Sequence, residues 1–171
     1  MVICVMGQSF TCPHCGVTHE GLPTDHGFTL PDDVWAVPEP ERASKAKWTA
    51  DLCQMGERYF IRCVLRVPFT DRAGAFGWGL WVEVTRPVFA RYLEFYEVDG
   101  AAEPPHAATI ANQPPPYERL VGAEVVIQFG ASSARPTIHF PPDATYPMAV
   151  EQRCGIDSAR YHRILEALGS I

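Results

Sequence analysis

The 171-residue sequence has no apolar run long enough to cross a bilayer, which takes roughly 18 to 20 consecutive apolar residues. Beyond the N-terminus its most apolar stretch, Phe76 to Val82, is interrupted by Gly77 and Gly79. The start, Met1 to Met6, has no basic residue and too short an apolar run for a secretion signal. A cytoplasmic chain with reduced thiols is therefore expected, and its six cysteines are not read as a disulfide framework. Positive charge is also short. Lys plus Arg is 14 against 20 Asp plus Glu, a net charge of −6, and the basic residues are dispersed. Both features exclude a protein whose main work is gripping nucleic-acid phosphates. There is no internal repeat, low-complexity tract, Gly-x-Ser-x-Gly elbow, phosphate loop, dinucleotide fingerprint or His-Glu-x-x-His run.

What remains is an ordinary globular composition, 47% hydrophobic and 20% charged. Folding a chain of this length buries roughly 70% of its unfolded surface, enough for one real core. The 16 prolines gather at 104–116 and 136–147, so regular structure is expected in the windows between them. Residues 8–11 suit a short strand, 17–38 read mostly as loop, and Pro40 to Leu52 predicts a helix with a thin apolar face. The strongest pattern is 58–67, where Tyr59, Ile61, Cys63, Leu65 and Val67 alternate with a more polar face. After a turn at 70–74, Phe76, Trp78, Leu80, Val82 and Val84 repeat it, which predicts an antiparallel hairpin. Gly77 and Gly79 lie on the opposite face and invite close approach of a neighbour. Thr85 and Pro87 open a helix with Phe89, Tyr92, Leu93 and Tyr96 on one stripe. Residues 101–118 read as loop or extended chain. Segments 123–129 and 135–140 suggest a second hairpin, and Asp157 caps a last helix running to Leu168. The expected fold is α+β, one domain over 1–171: an antiparallel sheet of two hairpins with packed helices over 26–171, plus a zinc-knuckle-like segment over 8–25.

That segment, Phe10-Thr-Cys-Pro-His-Cys-Gly-Val-Thr-His19, carries the chemistry. Two thiolates two residues apart can bite one metal ion, the glycine after the second lets the backbone turn, and His19 can add a nitrogen. Zn²⁺ favours such a tetrahedral sulfur and nitrogen set in structural sites. Candidates for the fourth ligand are Cys53, His26, Cys63 and His14. His14 should point away from the metal and Cys63 sits on an apolar strand face. Cys53 is preferred, because it falls between the predicted helix and the first strand. His106, His139 and His162 are scattered, with no neighbour at ligand-pair spacing. Cys4 and Cys154 have no assigned task. Cys-Pro-His-Cys also occurs in thiol oxidants of the thioredoxin class. That chemistry needs the first cysteine at a helix N-terminus, and here Gly16, Gly21 and Pro23 follow without helical periodicity or a βαβ frame.

With Asp51-Leu-Cys53, Tyr59-Phe-Ile-Arg62, Phe76-Gly-Trp-Gly-Leu-Trp81, Leu120 onward, Arg135-Pro136 and Gln152-x-x-Gly155-Ile156, these motifs resemble the bacterial domain-of-unknown-function 2199 family from about Phe10 to about Leu168. The resemblance implies no activity. It does imply a cysteine near Cys53, in keeping with that residue as a ligand. The family commonly has His-Pro-Leu where this chain has Tyr146-Pro-Met148, so no histidine role passes to that position.

A candidate partner or ligand surface comprises Arg62, Trp78, Trp81 and Gln152. Arg62 and Arg66 share a strand face and either bind an anion or, the preferred reading, pair with Glu83 across the hairpin. One tryptophan is expected in the core. Gln152 can cap a turn. The expectation is a non-catalytic protein with structural zinc and a protein partner, no nucleic acid and no membrane. Regulatory adaptor and immunity protein both suit a small acidic chain. The alternatives are the thiol oxidoreductase and a zinc enzyme. The latter would use Cys12, Cys15 and His19 or Cys53 around an open coordination position, with Asp51 or Glu20 as base.

Overall fold

A computed structural model describes residues 9–13 and 15–171, so Cys4 and His14 lie outside the described residues. β1 (Phe10–Thr11) and β2 (Thr18–His19) form a small antiparallel ribbon. Then come β3 (Asp25–Gly27), α1 (Asp32–Trp35), α2 (Glu39–Lys45), β4 (Ala46–Trp48) and β5 (Leu52–Met55). The long strands β6 (Arg58–Pro68) and β7 (Ala75–Val84) follow, then α3 (Arg86–Glu94) and β8 (His106–Ile110). β9 (Glu124–Gln128), β10 (Thr137–His139), α4 (Pro147–Cys154) and α5 (Ser158–Ala167) complete the chain. No helix among the described residues is long and apolar enough to cross a membrane.

The expected hairpin is β6 with β7, in register from Tyr59 opposite Val84 to Pro68 opposite Ala75. The expected second hairpin is β9 with β10. Their relation departs from two hairpins in an open sheet. β8 falls in the segment read as loop and bridges β7 to β9, and β10 returns to β6, closing a five-stranded barrel. In a meander of alternating direction an odd strand count forces the closing pair to be parallel. Accordingly Thr137 lies parallel to Val64, whose N–H donates to the Pro136 carbonyl at 2.9 Å. Closure removes the exposed edges that two separate hairpins would leave. The sequence His-Ala-Ala-Thr-Ile carries one large apolar residue, too weak a pattern to announce β8. Its pairing on both sides makes it a strand.

A barrel this small is filled by side chains. The inward residues of β6 and β7 meet Ile110, Val125, Ile127 and Ile138, and the helices add Met148, Ala149, Tyr161, Ile164 and Leu165 to the same core. Asp157 caps α5 as expected, accepting from the Arg160 N–H at 2.7 Å. On the outer face of the β6–β7 hairpin, Phe60 and Trp81 form a second core with Leu30, Val34, Ala46, Cys53 and Ala111. Asn112, fully buried, joins its layers. Its Oδ1 accepts from the Trp81 N–H at 2.8 Å and its Nδ2 donates to the Leu30 carbonyl at 2.9 Å.

The helix expected over 40–52 stops at Lys45. Thr49 is the reason: its Oγ1 accepts from the N–H groups of Asp51 and Leu52, at 3.2 and 3.1 Å, and this side-chain turn folds β4 back on β5. The glycines on the outer face of β7 do receive a neighbour. β3 runs parallel to β7, with Asp25 opposite Gly77 and Gly27 opposite Gly79. A Cβ on Gly79 would stand 3.0 Å from the Gly27 Cα, so both strands need glycine there.

Candidate metal centre

β1 leads directly into Cys12. The Gly16 N–H donates to the Cys12 carbonyl at 2.7 Å and the Cys12 N–H to the Val17 carbonyl at 2.9 Å. Gly16 makes this reversal at φ 72°, a left-handed conformation that costs a residue with a Cβ. β2 then carries His19 back beside Phe10. Cys12, Cys15 and His19 are thereby gathered as the sequence predicts. The fourth member is His162 of α5. One ligand atom from each of these four residues lies within 4.8 Å of the others, and together they could hold a metal ion.

The orientations suit coordination. Cys15 Sγ lies 3.2 Å from His19 Nε2 and 3.8 Å from His162 Nδ1. A tetrahedron with ordinary zinc–sulfur and zinc–nitrogen bonds has edges of about 3.3 to 3.8 Å. The other ring nitrogen of His162, Nε2, faces Glu166 Oε1 at 3.1 Å, one helical turn on. A carboxylate behind a ligating histidine fixes its tautomer and orientation.

The ribbon is held onto α5 apart from any metal. The Tyr161 hydroxyl donates to the Pro23 carbonyl at 2.6 Å. Arg72 stacks its guanidinium against Phe10, Phe69 and Tyr161, 4.7, 3.9 and 4.5 Å from the ring centres.

The structure does not bring Cys53 to this centre. Cys53 sits on β5 between Trp48 and Phe60 in register, inside the second core and 1% exposed, where burial pushes its thiol up to about 11. A thiol held protonated is a poor ligand. Cys63 lies inside the barrel, where burial raises its pKa further. His26 lies on β3, edge-on to Phe28 and Trp78. Sequence spacing does not point to His162, because its partners lie about 150 residues away. Its one local signal is the phase of α5: Ser158, Tyr161, His162 and Leu165 share the buried face, with Glu166 four residues on. A histidine on such a face needs a partner.

The remaining candidates separate by burial. Trp78 and Trp81 are both 0% exposed, one in each core, so neither is a surface aromatic. Arg62 and Arg66 do not pair with Glu83. Arg58 takes that carboxylate in a fork, at 2.9 and 2.7 Å, and also reaches Asp33 at 2.8 Å. The Trp81 side chain lies opposite Arg62 instead. Gln152 clamps β10, accepting from the Phe140 N–H and donating to the Ile138 carbonyl, both at 2.9 Å. Gln152→Leu strands both backbone groups and is expected to cost about 2 to 4 kcal/mol. A shifted urea midpoint and faster exchange of the Phe140 amide would check this.

The architecture is a closed five-stranded barrel with an N-terminal Cys/His cluster tied to its last helix. The chain belongs to the DUF2199 family, described as uncharacterized protein conserved in bacteria, whose profile matches residues 11–156. His162 lies beyond the matched residues. No curated protein and no solved structure matches the chain.

Proposed function

We propose that the chain is a non-catalytic protein with a protein-interaction or regulatory role, in which a structural zinc ion joins the 8–25 segment to the 26–171 body as one domain. The observation that carries this reading is the four-residue donor set completed by His162. Two sulfurs and two imidazole nitrogens match the softness and tetrahedral preference of Zn²⁺. With four side chains around the ion, no position is left for a substrate or a catalytic water, which a zinc enzyme needs. The thiol-oxidant alternative has less support. Cys12, which would be its nucleophile, is buried, and a turn and then β2 follow it rather than a helix.

Metal analysis of the purified chain is expected to give about one zinc per chain, lost in Cys12→Ser and Cys15→Ser. The cobalt-substituted protein should show a tetrahedral thiolate spectrum that added azide leaves unchanged. A metal-free chain, or a cobalt spectrum that shifts with azide, would overturn the closed structural site.

A further inference from the structure

The outer face of the β6–β7 hairpin divides in two. One end, around Phe60 and Trp81, is covered by the second core. The other end is left open by composition. Opposite Val64 and Arg66 on β6 stand Gly79 and Gly77 on β7, with no side chains to shade them. β3 adds Gly27 beside Gly79. The result is a cavity of about 340 Å³ with a floor of glycine backbone. Its walls carry three guanidinium groups, those of Arg62, Arg66 and Arg135. Asp25 is the one carboxylate in its lining.

The arginines are not equally satisfied. Arg135 pairs with Asp51 at 2.8 Å. Arg62 and Arg66 have no carboxylate partner among the described residues, and the Arg62 Nε is buried with no hydrogen-bond acceptor. Burial and the neighbouring Arg135 push the Arg62 pKa down, against a smaller upward pull from Asp51, whereas directly bonded carboxylates raise those of Arg58 and Arg91. The Arg62 guanidinium reaches the glycines: a Cβ on Gly27 would stand 2.3 Å from its Nη2, and one on Gly79 3.4 Å from it. In a chain of net charge −6, this is a hollow whose three arginines outnumber the carboxylates Asp25 and Asp51 around them.

We propose that this cavity is an anion site for a small molecule bearing a phosphate or carboxylate group, gripped by Arg62 and Arg66 with Arg135 at its rim. Guanidinium forks match both groups bidentately. The volume is at the small end of ligand pockets, so the ligand is a metabolite-sized anion rather than a polyanion. None of the four metal-centre residues lines the cavity, and the inference goes beyond the zinc reading and survives its failure.

Calorimetric titration at constant ionic strength, with sodium chloride as the reference salt, tests it using inorganic phosphate, citrate and adenosine monophosphate. At least one of these probes is expected to bind, about tenfold or more weakly to Arg62→Gln and to Arg66→Gln. Phosphate or the nucleotide binding alone assigns a phosphate group, and citrate alone assigns a carboxylate. Arg66 is exposed, so its variant tests the site even if Arg62→Gln unfolds. Exposed Arg86, away from the cavity, supplies the control variant Arg86→Gln, which should bind as the parent does. Absence of binding by all three probes, or binding that Arg66→Gln leaves unchanged, overturns the proposal.

Discussion

Replacing His162 by alanine is expected to strip the metal and release the N-terminal ribbon, while replacing Cys53 by alanine does neither. The two residues answer the same question, which side chain completes a site built on Cys12, Cys15 and His19. His162 presents Nδ1 to Cys15 and is backed by Glu166. Cys53 faces Phe60 and Trp81 in the second core. Losing one ligand of four should lower metal affinity by at least about 100-fold. It also removes the link between chain segments some 150 residues apart, so amide exchange across 10–19 should rise. The Phe10, Arg72 and Tyr161 stack and the Tyr161 bond to Pro23 leave part of the docking in place. Cys53→Ala should cost about 1 to 2 kcal/mol as a small cavity and keep its metal. Zinc measured per chain in the two variants checks this. Metal retained without His162 and lost without Cys53 would reverse the assignment.

The second large effect concerns two tryptophans with the same burial and different polar partners. Truncating either Trp78 or Trp81 to alanine should cost about 3 to 5 kcal/mol, because each fills a core with no route for collapse. Phenylalanine separates them. The Trp81 Nε1 donates to the Phe28 carbonyl at 2.9 Å, so Trp81→Phe leaves that carbonyl without its donor and should cost about 2 to 4 kcal/mol. The Trp78 Nε1 is buried with no acceptor among the described residues. Trp78→Phe deletes an unsatisfied donor along with some volume, and a cost of about 1 kcal/mol is expected. Urea denaturation with equal slopes would show the order. A Trp78→Phe variant as unstable as Trp81→Phe would contradict it.

Several elements could be read from residues because their signals are local. β6 and β7 each present an unbroken apolar face at period two, and no helical arrangement buries such a face. Asp157 and the residues after it announce a capped helix. The knuckle is legible from a span of ten residues, since the cysteines, the glycine and His19 act within one reversal of the chain. The glycines of β7 likewise announce that something comes close, though not that it would be β3. By contrast, the end of α2 turned on one threonine hydroxyl taking two amides, a competition that composition does not rank.

By itself the sequence determined the hairpin, the capped last helix and three members of the Cys/His cluster. Each depends on neighbours in the chain, and side-chain periodicity and turn chemistry are properties of neighbours. Only the tertiary structure decided that the strands close into a barrel, that Cys53 is a core residue, that His162 completes the Cys/His cluster, and that Arg62 and Arg66 face a cavity rather than Glu83. Those outcomes depend on which distant segments share a face. Closure rests on Thr137 meeting Val64 and on weakly patterned β8 being paired on both sides. The Cys/His cluster rests on α5 packing under a ribbon formed at the other end of the chain. No local rule of spacing reaches that far, because the contacts exist only once the core has brought the two ends together.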